Sequence, residues 1–395
     1  MGKNNVVTVR GTLLGGNRVS DVVVENGMVT RVGRAGRGRP TMGGATAVVA
    51  PTLFDIQVNG YGGVDLHGSK VSPGDVERVG KRLAAGGVSY WVPTLTTGSQ
   101  QHMEQGCRVL GKALRDRSLA RHIPGIHLEG PYISPNDGPR GAHPRQHVRK
   151  PSLREFDRCM KAAEEKILYV TVAPEVEGAI SFIKGLVKRG VVVSLGHHDA
   201  NADQIARAVD AGARLSTHLA NGMAPRIQRH HNPIWPQLAE DRLTASLIAD
   251  LEHLPEPVLK AFVRAKGPDR IVLTSDVVYV AGLKPGKHRL AGVPVELKRS
   301  GRICLSGTEL LAGSSLMLLQ GVVNAARVTD LSLEQAFASA TTIPARLLGL
   351  RRRFDLPKQG KKASFVVFEI NKSKPHWKVA VRAVFIDGAQ VVPAV

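Results

Sequence analysis

The feature that most constrains the fold is an alternation, from about residue 51 to about residue 350, of short apolar runs with amphipathic stretches. Stretches such as DVERVGKRLAAGG and DQIARAVDAGA have the spacing of helices that bury one face. The apolar runs between them are typical of buried strands, and eight are present: LFDIQV, VSYWVPTL, IPGIHLE, ILYVTVAPE, VVVSLGH, RLSTHL, SLIAD and IVLTSD. Such alternation favours a parallel sheet. Eight strands predict that the sheet closes into an α/β, TIM-like (β/α)8 barrel.

The two ends of the chain have a different pattern. Residues 5–50 and 361–395 contain short β-type segments, such as VVTVRGTLL and KVAVRAVFIDG, which glycine and asparagine interrupt. Each end is too short to fold alone, so we predict one small β-sandwich domain built from residues 1–50 and 351–395. Residues 51–350 then form the catalytic barrel. The total of 395 residues suits a barrel of about 250 residues with a small second domain.

The chain is strongly basic, with 54 lysines and arginines against 33 acidic residues, a net charge of +21. Such a charge attracts phosphates, nucleic acids and acidic surfaces. The basic residues are scattered, however, with only short clusters such as Arg351–Arg353. No stretch interleaves them with aromatic residues, as single-strand binders do. Nucleic acid is therefore not the expected partner, and a generally basic surface or a specific polyanion partner both stay open.

Cysteine usage and hydropathy indicate the compartment. The three cysteines, Cys107, Cys159 and Cys304, are far apart and form no CxxC pair. The pattern therefore favours neither a disulfide framework nor a thiolate metal site. The N-terminal residues lack the apolar run of a signal peptide, and no window is apolar enough for a membrane span. We expect a cytoplasmic protein without membrane attachment.

Four polar residues end candidate barrel strands. Glu129 ends IPGIHLE, His197 ends VVVSLGH, RLSTHL carries His218, and Asp276 ends IVLTSD. Functional side chains of such barrels lie at the C-terminal ends of the strands. A carboxylate with two imidazoles can hold a catalytic metal such as zinc and leave positions for water and substrate. A single histidine could be structural, and the aspartate could be a helix N-cap, but the combination favours a metal site with Asp276 as the acid–base residue.

Several motifs carry a resemblance to a known family. They are GIHLEGPY (125–132), GAH (141–143), VTVAPE (170–175), SLGH (194–197), THLANGM (217–223), TSD (274–276) and LAGSSL (311–316), with PTLFDIQVNGYGGVD (51–65) near the start. In this combination and order the chain resembles the N-acetylglucosamine-6-phosphate deacetylases of the amidohydrolase superfamily. The resemblance covers nearly the whole chain.

The resemblance implies a metal-dependent hydrolysis of N-acetylglucosamine-6-phosphate to glucosamine-6-phosphate and acetate. It implies one divalent metal ion held by Glu129, His197 and His218, with Asp276 as the catalytic residue. Zinc is the expected metal, with iron, cobalt and manganese as alternatives. It also implies a homodimer, because phosphate-binding residues of this family can come from a neighbouring subunit. The substrate contacts that it implies are His143, Asn221, Gly222, Arg229, His253, Leu311, Ala312 and Gly313.

The sequence departs from the family pattern at points that bear on the chemistry. Gln57 and Asn59 stand where many amidohydrolases have a His-x-His pair, which favours one metal over two. Glu252 adds a negative charge beside His253, near the expected phosphate. Two other functions therefore stay open. One is an amidohydrolase for another N-acetylated sugar, such as N-acetylgalactosamine-6-phosphate, or for another amide. The other is an inactive basic binding protein.

Overall fold

The computed structural model describes residues 6–68, 70–290, 292–373 and 376–391 of the chain. Its first part forms strands whose valines alternate between a buried and a more exposed face, as in β1, where Val7 and Val9 are buried. These strands are β1 (Val6–Leu13), β2 (Val19–Glu25), β3 (Met28–Arg34) and β4 (Met42–Ala50).

The centre of the molecule is a barrel of eight parallel strands, which confirms the predicted fold class. The backbone N–H of Asn59 donates to the carbonyl of Val277 at 2.8 Å, so the first strand is bonded to the segment beyond the last. The strands follow one another around the barrel in chain order, and a two-stranded hairpin (β6, β7) lies between the first two barrel strands in the chain. They are β5 (Leu53–Val58), β6 (Gly60–Tyr61), β7 (Val64–Asp65), β8 (Val88–Thr96), β9 (Ile126–Glu129), β10 (Ile167–Val172), β11 (Val192–Leu195), β12 (Leu215–Ser216), β13 (Thr244–Ile248) and β14 (Ile271–Thr274).

Helices connect the barrel strands and cover their outer face. In the first helix, Ser72 and Asp75 form a capping box, and Val76, Val79 and Leu83 bury one face against the barrel. No helix in the described ranges is long and apolar enough to cross a membrane. The helices are α1 (Pro73–Ala85), α2 (Gln100–Ala113), α3 (Arg117–Ala120), α4 (Leu153–Ala162), α5 (Ala179–Lys188), α6 (Ala202–Asp210), α7 (Ile234–Ala239), α8 (Glu256–Lys266), α9 (Leu318–Val328), α10 (Leu333–Ala338) and α11 (Thr342–Leu347), with single 3-10 turns at Arg145–His147 and Pro268–Arg270.

A small antiparallel sheet, which the sequence analysis does not predict, is inserted after the last barrel strand. It consists of β15 (Gly286–Leu290), β16 (Val293–Leu297) and β17 (Ile303–Leu305). Val295, Leu297 and Ile303 pack with Val278 and Ala312 in a separate apolar cluster. The insertion therefore has its own small core and lies beside the C-terminal rim of the barrel.

Both chain ends build one β unit, as predicted. The last strands are β18 (Phe365–Asn371), β19 (Lys378–Ile386) and β20 (Ala389–Val391). They join the first four in a single seven-stranded sheet of order β20-β19-β18-β4-β1-β2-β3. Phe368 of this sheet stacks on Phe337 at a ring distance of 5.8 Å, so the sheet shares the main core with the barrel. The predicted division at residues 50 and 351 stays a prediction.

Candidate metal centre

The four residues that sequence analysis places at strand ends meet at the C-terminal rim of the barrel. Glu129 is the last residue of β9, and His197, His218 and Asp276 each lie two residues beyond β11, β12 and β14. Their exposed fractions are only 3%, 6%, 3% and 8%. The two histidines and Asp276 have positive φ angles of 52°, 28° and 50°. Non-glycine residues rarely adopt this backbone conformation, and residues held in it cluster at functional sites.

One oxygen of Glu129 is shared by two imidazoles. Its Oε1 lies 3.1 Å from Nε2 of His197 and 2.9 Å from Nε2 of His218. Burial acts to raise the pKa of Glu129, but the hydrogen bonds from the two histidines outweigh it and hold the pKa well below its ordinary value. Burial acts to lower the pKa of His218, yet the bond and charge of Glu129 raise it. The buried Glu129 carboxylate is therefore stable as an anion only with a positive charge beside Oε1.

A third histidine lies close to this group. The rings of His143 and His197 are 4.3 Å apart, and ligand atoms of Glu129, His143 and His197 lie within 4.8 Å of one another. The hydrogen bonds distinguish the two rings. Nδ1 of His197 donates to the carbonyl of Pro139 at 2.9 Å, so a metal that takes the place of the hydrogen bond to Glu129 would bind Nε2. Nδ1 of His143 accepts from the backbone N–H of Thr97 at 3.4 Å and lies 2.8 Å from the Thr97 hydroxyl, and a ring that accepts at Nδ1 carries its proton on Nε2.

This donor set fits a divalent metal. Imidazole nitrogens and a carboxylate oxygen are the usual ligands of catalytic zinc. A metal-ligating histidine typically donates its other N–H to a carbonyl, as His197 does to Pro139. A divalent ion would also supply the positive charge that the buried carboxylate of Glu129 requires. His143, with its proton on Nε2, is better suited to donate a hydrogen bond into the same space.

Asp276 is held by two amide side chains from the first barrel strand and its end. Nε2 of Gln57 and Nδ2 of Asn59 both donate to its Oδ1, at 3.0 and 2.7 Å. Its Oδ2 accepts no hydrogen bond from any residue that the structure describes. Burial and the nearby Glu129 carboxylate raise the pKa of Asp276 to about 7, although the charge of His218 acts in the opposite direction. A pKa near the working pH is what proton transfer in both directions needs.

A buried hydroxyl network lies beneath these groups. His127 shares the strand and face of Glu129, but its ring contacts Thr94 Oγ1 at 3.2 Å and Thr171 Oγ1 at 2.8 Å rather than the carboxylate. Thr171 in turn contacts Thr217 at 2.8 Å. Burial lowers the pKa of His127 to about 3, so the ring is neutral at neutral pH. The network stiffens the barrel interior under the site.

A cavity of about 780 Å³ opens over the metal centre. Its wall includes the end of the barrel on one side and the inserted sheet on the other. Nearly all of the residues for which sequence analysis predicts a role line it: Glu129, His143, His197, His218, Asn221, Gly222, His253, Asp276, Leu311, Ala312 and Gly313.

One predicted residue lies elsewhere, and several lining residues were not predicted. Arg229 is exposed on the loop before α7 and does not line the cavity of its own chain, so its role stays a prediction. Asp65, His67 and Arg302 do line the cavity. Asp65 belongs to the short hairpin β6–β7 and Arg302 to the inserted sheet. Neither segment ends a barrel strand, so the strand-end argument could not find them.

Comparison with known proteins agrees with this geometry. Residues 48–391 match the model of the family described as "Amidohydrolase family". The chain is similar to the N-acetylglucosamine-6-phosphate deacetylase of Bos taurus (34% identity over 357 residues, 87% of this chain and 83% of that protein). It is similar to the N-acetylgalactosamine-6-phosphate deacetylase of Escherichia coli O157:H7 (30% over 322 residues, 82% and 84%). A solved structure of N-acetyl-D-glucosamine-6-phosphate deacetylase from Mycobacterium smegmatis, in complex with N-acetyl-D-glucosamine-6-phosphate, superposes with a TM-score of 0.83, at 29% identity, covering 98% of this chain and all of that one.

Gly222 tests how tightly the ring of His197 is enclosed. A Cβ atom at Gly222 would lie 2.6 Å from Nδ1 of His197, and the residue has a φ of +61°. We expect Gly222→Ala to displace the imidazole and weaken metal binding at least tenfold in a metal titration. Gly190→Ala is the matched control, since Gly190 has a φ of +74° but no atom within 4 Å of a built Cβ. Both variants should lose about 1 kcal/mol of stability through backbone strain, and equal metal affinities in the two would contradict the assignment.

The raised pKa of Asp276 predicts a pH-dependent stability of the metal-free chain. Between the ordinary aspartate pKa of 3.8 and the folded value of about 7, the folded carboxyl holds a proton that the unfolded one has lost. Stability therefore falls as pH rises through this range. Asp276→Asn removes the titration, so its stability advantage over the native chain should grow from pH 4 to pH 7 and then level off in urea unfolding. A difference that does not change with pH would refute the shifted pKa.

Proposed function

The chain belongs to the amidohydrolase family, and within it to the N-acetylglucosamine-6-phosphate deacetylases, and we propose that it hydrolyses the acetamide of an N-acetyl amino-sugar 6-phosphate. As a member of this family it is a hydrolase that acts on non-peptide carbon–nitrogen bonds and uses a divalent metal. The preferred substrate is N-acetylglucosamine-6-phosphate, with glucosamine-6-phosphate and acetate as products. N-acetylgalactosamine-6-phosphate is the second candidate, because the relative from Escherichia coli O157:H7 carries that name.

The observation that carries the proposal is the arrangement of Asp276 and Glu129 in one cavity. Glu129 and its two histidines form a site for a cation. Asp276 lines the same cavity with one carboxyl oxygen free of hydrogen bonds from the described residues, and its pKa is about 7. An inactive binding protein would have no need for this combination, because it costs stability to bury two carboxylates together. A hydrolase needs both a group that binds the cation and a group that moves a proton.

We assign Glu129, His197 and His218 as the metal ligands. His197 and His218 direct Nε2 to the same carboxylate oxygen, whereas the hydrogen bonds of His143 place a proton on its Nε2. When bound, the metal supplies Lewis acidity, which lowers the pKa of water and polarises the acetamide carbonyl. Zinc is our first choice, and iron, cobalt and manganese have suitable chemistry.

Asp276 moves the proton in both halves of the reaction. Its Oδ2 takes a proton from the water as the oxygen attacks the carbonyl carbon, and Gln57 and Asn59 hold the carboxylate by its other oxygen. The resulting carboxylic acid then returns the proton to the nitrogen as the carbon–nitrogen bond breaks. Acetic acid and the free amine leave, the acid loses its proton to give acetate, and Asp276 is again a carboxylate.

The remaining cavity residues bind and orient the sugar. His143 donates from Nε2 to the carbonyl oxygen, where negative charge develops. The backbone N–H of Ser314 donates to the carbonyl of Asp276 at 3.0 Å, which fixes the preceding segment beside Asp276. We assign this segment, Leu311, Ala312 and Gly313, to the enclosure of the acetyl methyl group. As the resemblance implies, we assign Arg229 and His253 to the sugar phosphate, with Arg229 reaching it from a neighbouring subunit, and Asn221 and Gly222 to a backbone contact with the substrate.

We also propose a homodimer in a reducing, cytoplasmic compartment. A mostly apolar depression of about 600 Å³ lies between α7 and α8, with Trp235 51% and Val258 36% exposed. Exposed apolar surface of this kind is typical of protein contacts. The loop that carries Arg229 runs directly into α7, and Trp235 donates to the Arg229 carbonyl at 3.1 Å.

The three cysteines form no disulfide and are buried, which suits a reducing environment.

Metal content distinguishes the ligands from the substrate-binding histidine. We expect His197→Ala and His218→Ala to lose the metal and all activity, because each removes a nitrogen directed at the Glu129 carboxylate. His143→Ala should retain the metal and lose turnover. Elemental analysis of the purified variants measures this directly. Metal loss in His143→Ala with retention in His218→Ala would exchange the two assignments.

The proton-transfer role of Asp276 predicts a folded, metal-loaded but inactive Asp276→Asn. The amide can accept the hydrogen bonds from Gln57 and Asn59 but cannot take up a proton, so turnover should fall by about 100- to 10,000-fold. The assay is acetate release from N-acetylglucosamine-6-phosphate, N-acetylgalactosamine-6-phosphate and their unphosphorylated forms.

That assay also tests the proposed function as a whole. The native chain with metal should release acetate from at least one of the phosphorylated sugars, and the faster of the two identifies the epimer. No acetate from any of the four sugars would refute the deacetylase assignment. Turnover in metal-loaded Asp276→Asn close to that of the native chain would assign the proton transfer to another residue.

A further inference from the structure

Arg302 brings a positive charge to the cavity from the inserted sheet. It lies directly before β17 and, among the described residues that line the cavity, it is the sole arginine or lysine. Five acidic residues line the same cavity: Asp65, Glu129, Asp137, Asp276 and Glu309. A doubly charged phosphate would be repelled by these carboxylates. Within one chain, the guanidinium of Arg302 is therefore the group that can offset it.

The guanidinium has two fixed partners, the Glu309 backbone carbonyl at 3.0 Å from Nη2 and the Cys304 sulfur at 3.3 Å from Nε, and two exposed carboxylate partners. Its Nη1 donates to Glu252 at 3.2 Å, and its Nη2 lies 3.2 Å from the Glu309 carboxylate, which Lys298 also contacts at 3.0 Å. The two carboxylate side chains are 40% and 74% exposed, whereas Arg302 is 28% exposed. Ion pairs this exposed are weak. An incoming phosphate can thus replace a carboxylate oxygen on Arg302 without leaving a buried charge behind.

The cluster also changes the meaning of Glu252. From sequence, this residue places a negative charge beside the phosphate-binding His253. In the structure Glu252 pairs with Arg302, and Lys298 and Glu309 complete a group of two positive and two negative side chains. The group is therefore neutral before a substrate enters. A phosphate that displaces one of these carboxylates would therefore contact the positive charge of Arg302.

Two further polar side chains, Asn221 and His253, line the same cavity. Nδ2 of Asn221 is buried and has no hydrogen-bond partner among the described residues. His253 has a 5% exposed side chain, and its Nδ1 is fixed by Asp250 at 2.7 Å, which leaves Nε2 for a ligand. An anion bound by Arg302 beside Asn221 would satisfy the Nδ2 donor that the described residues leave open.

We propose that Arg302 is a specificity-determining residue that binds the substrate phosphate within its own chain, in exchange for Glu252 or Glu309. The planar guanidinium offers two parallel N–H groups to phosphate oxygens, which an ammonium group does not. Binding energy gained at this remote group orients the acetamide at the metal, so it contributes to turnover as well as affinity. The inference rests on the proposed function, since it assigns the phosphate of that substrate.

The test measures kcat/KM for N-acetylglucosamine-6-phosphate and for N-acetylglucosamine. The ratio of the two values should fall by about 10- to 100-fold in Arg302→Ala, the loss typical of a hydrogen-bonded charge. Arg302→Lys should recover only part of the ratio, because it keeps the charge without the fork. Arg299→Ala is the matched control, since Arg299 is exposed on the same hairpin and forms no ion pair with any described residue. The ratio should be unchanged there.

A binding measurement separates this inference from the function on which it rests. Glucosamine-6-phosphate is titrated calorimetrically into the native chain, Arg302→Ala and Glu252→Gln, with no turnover required. The affinity should fall at least tenfold in Arg302→Ala and rise in Glu252→Gln, which removes the competing carboxylate. If acetate is released but Arg302→Ala changes neither the ratio nor this affinity, the Arg302 assignment is wrong and the deacetylase stands. If Arg302 controls binding but no acetate is released, the deacetylase assignment fails instead.

Discussion

The site depends on one buried carboxylate that faces two imidazoles. Glu129 is 3% exposed, and its Oε1 lies about 3 Å from Nε2 of both His197 and His218. A charge at this depth is tolerated only when it is paired, so a proton or a metal ion must be present. Strands β9, β11 and β12 end at the same rim because the barrel is parallel and closed. The fold thus brings together three candidate metal ligands that lie far apart in the chain.

Asp276 shows how the same barrel keeps a second carboxylate available for proton transfer. Gln57 and Asn59 bind one of its oxygens, and the buried Asp55 carboxylate accepts from the Thr274 hydroxyl and thereby braces the turn that carries Asp276. The two amides stand where histidines would add metal ligands. Amide groups donate to the carboxylate and add no charge. This substitution therefore favours one metal and leaves Asp276 with a pKa suited to a base that later acts as an acid.

Chemistry and specificity come from different parts of the molecule. In the proposed reaction the barrel rim supplies the groups that act on the acetamide, whereas the insertion β15–β17 supplies part of the opposite wall and the cation Arg302. A hairpin with its own small core, including Val295 and Ile303, can change at its tip without disturbing the barrel strands. The ion pairs of Arg302 with Glu252 and Glu309 keep its charge compensated until an anion arrives.

Local sequence patterns were enough to predict the barrel, the β unit from both ends, and the candidates Glu129, His197, His218 and Asp276. Hydrophobic period and strand-end position are local signals, and a closed parallel barrel converts strand ends into neighbours. Tertiary structure alone decided what each group faces. The hydrogen bonds that determine which ring nitrogen of His143 carries its proton, and the amide donors on Asp276, join residues far apart in the chain. The place of Arg302 in the cavity follows from packing of an inserted sheet, which no local pattern encodes.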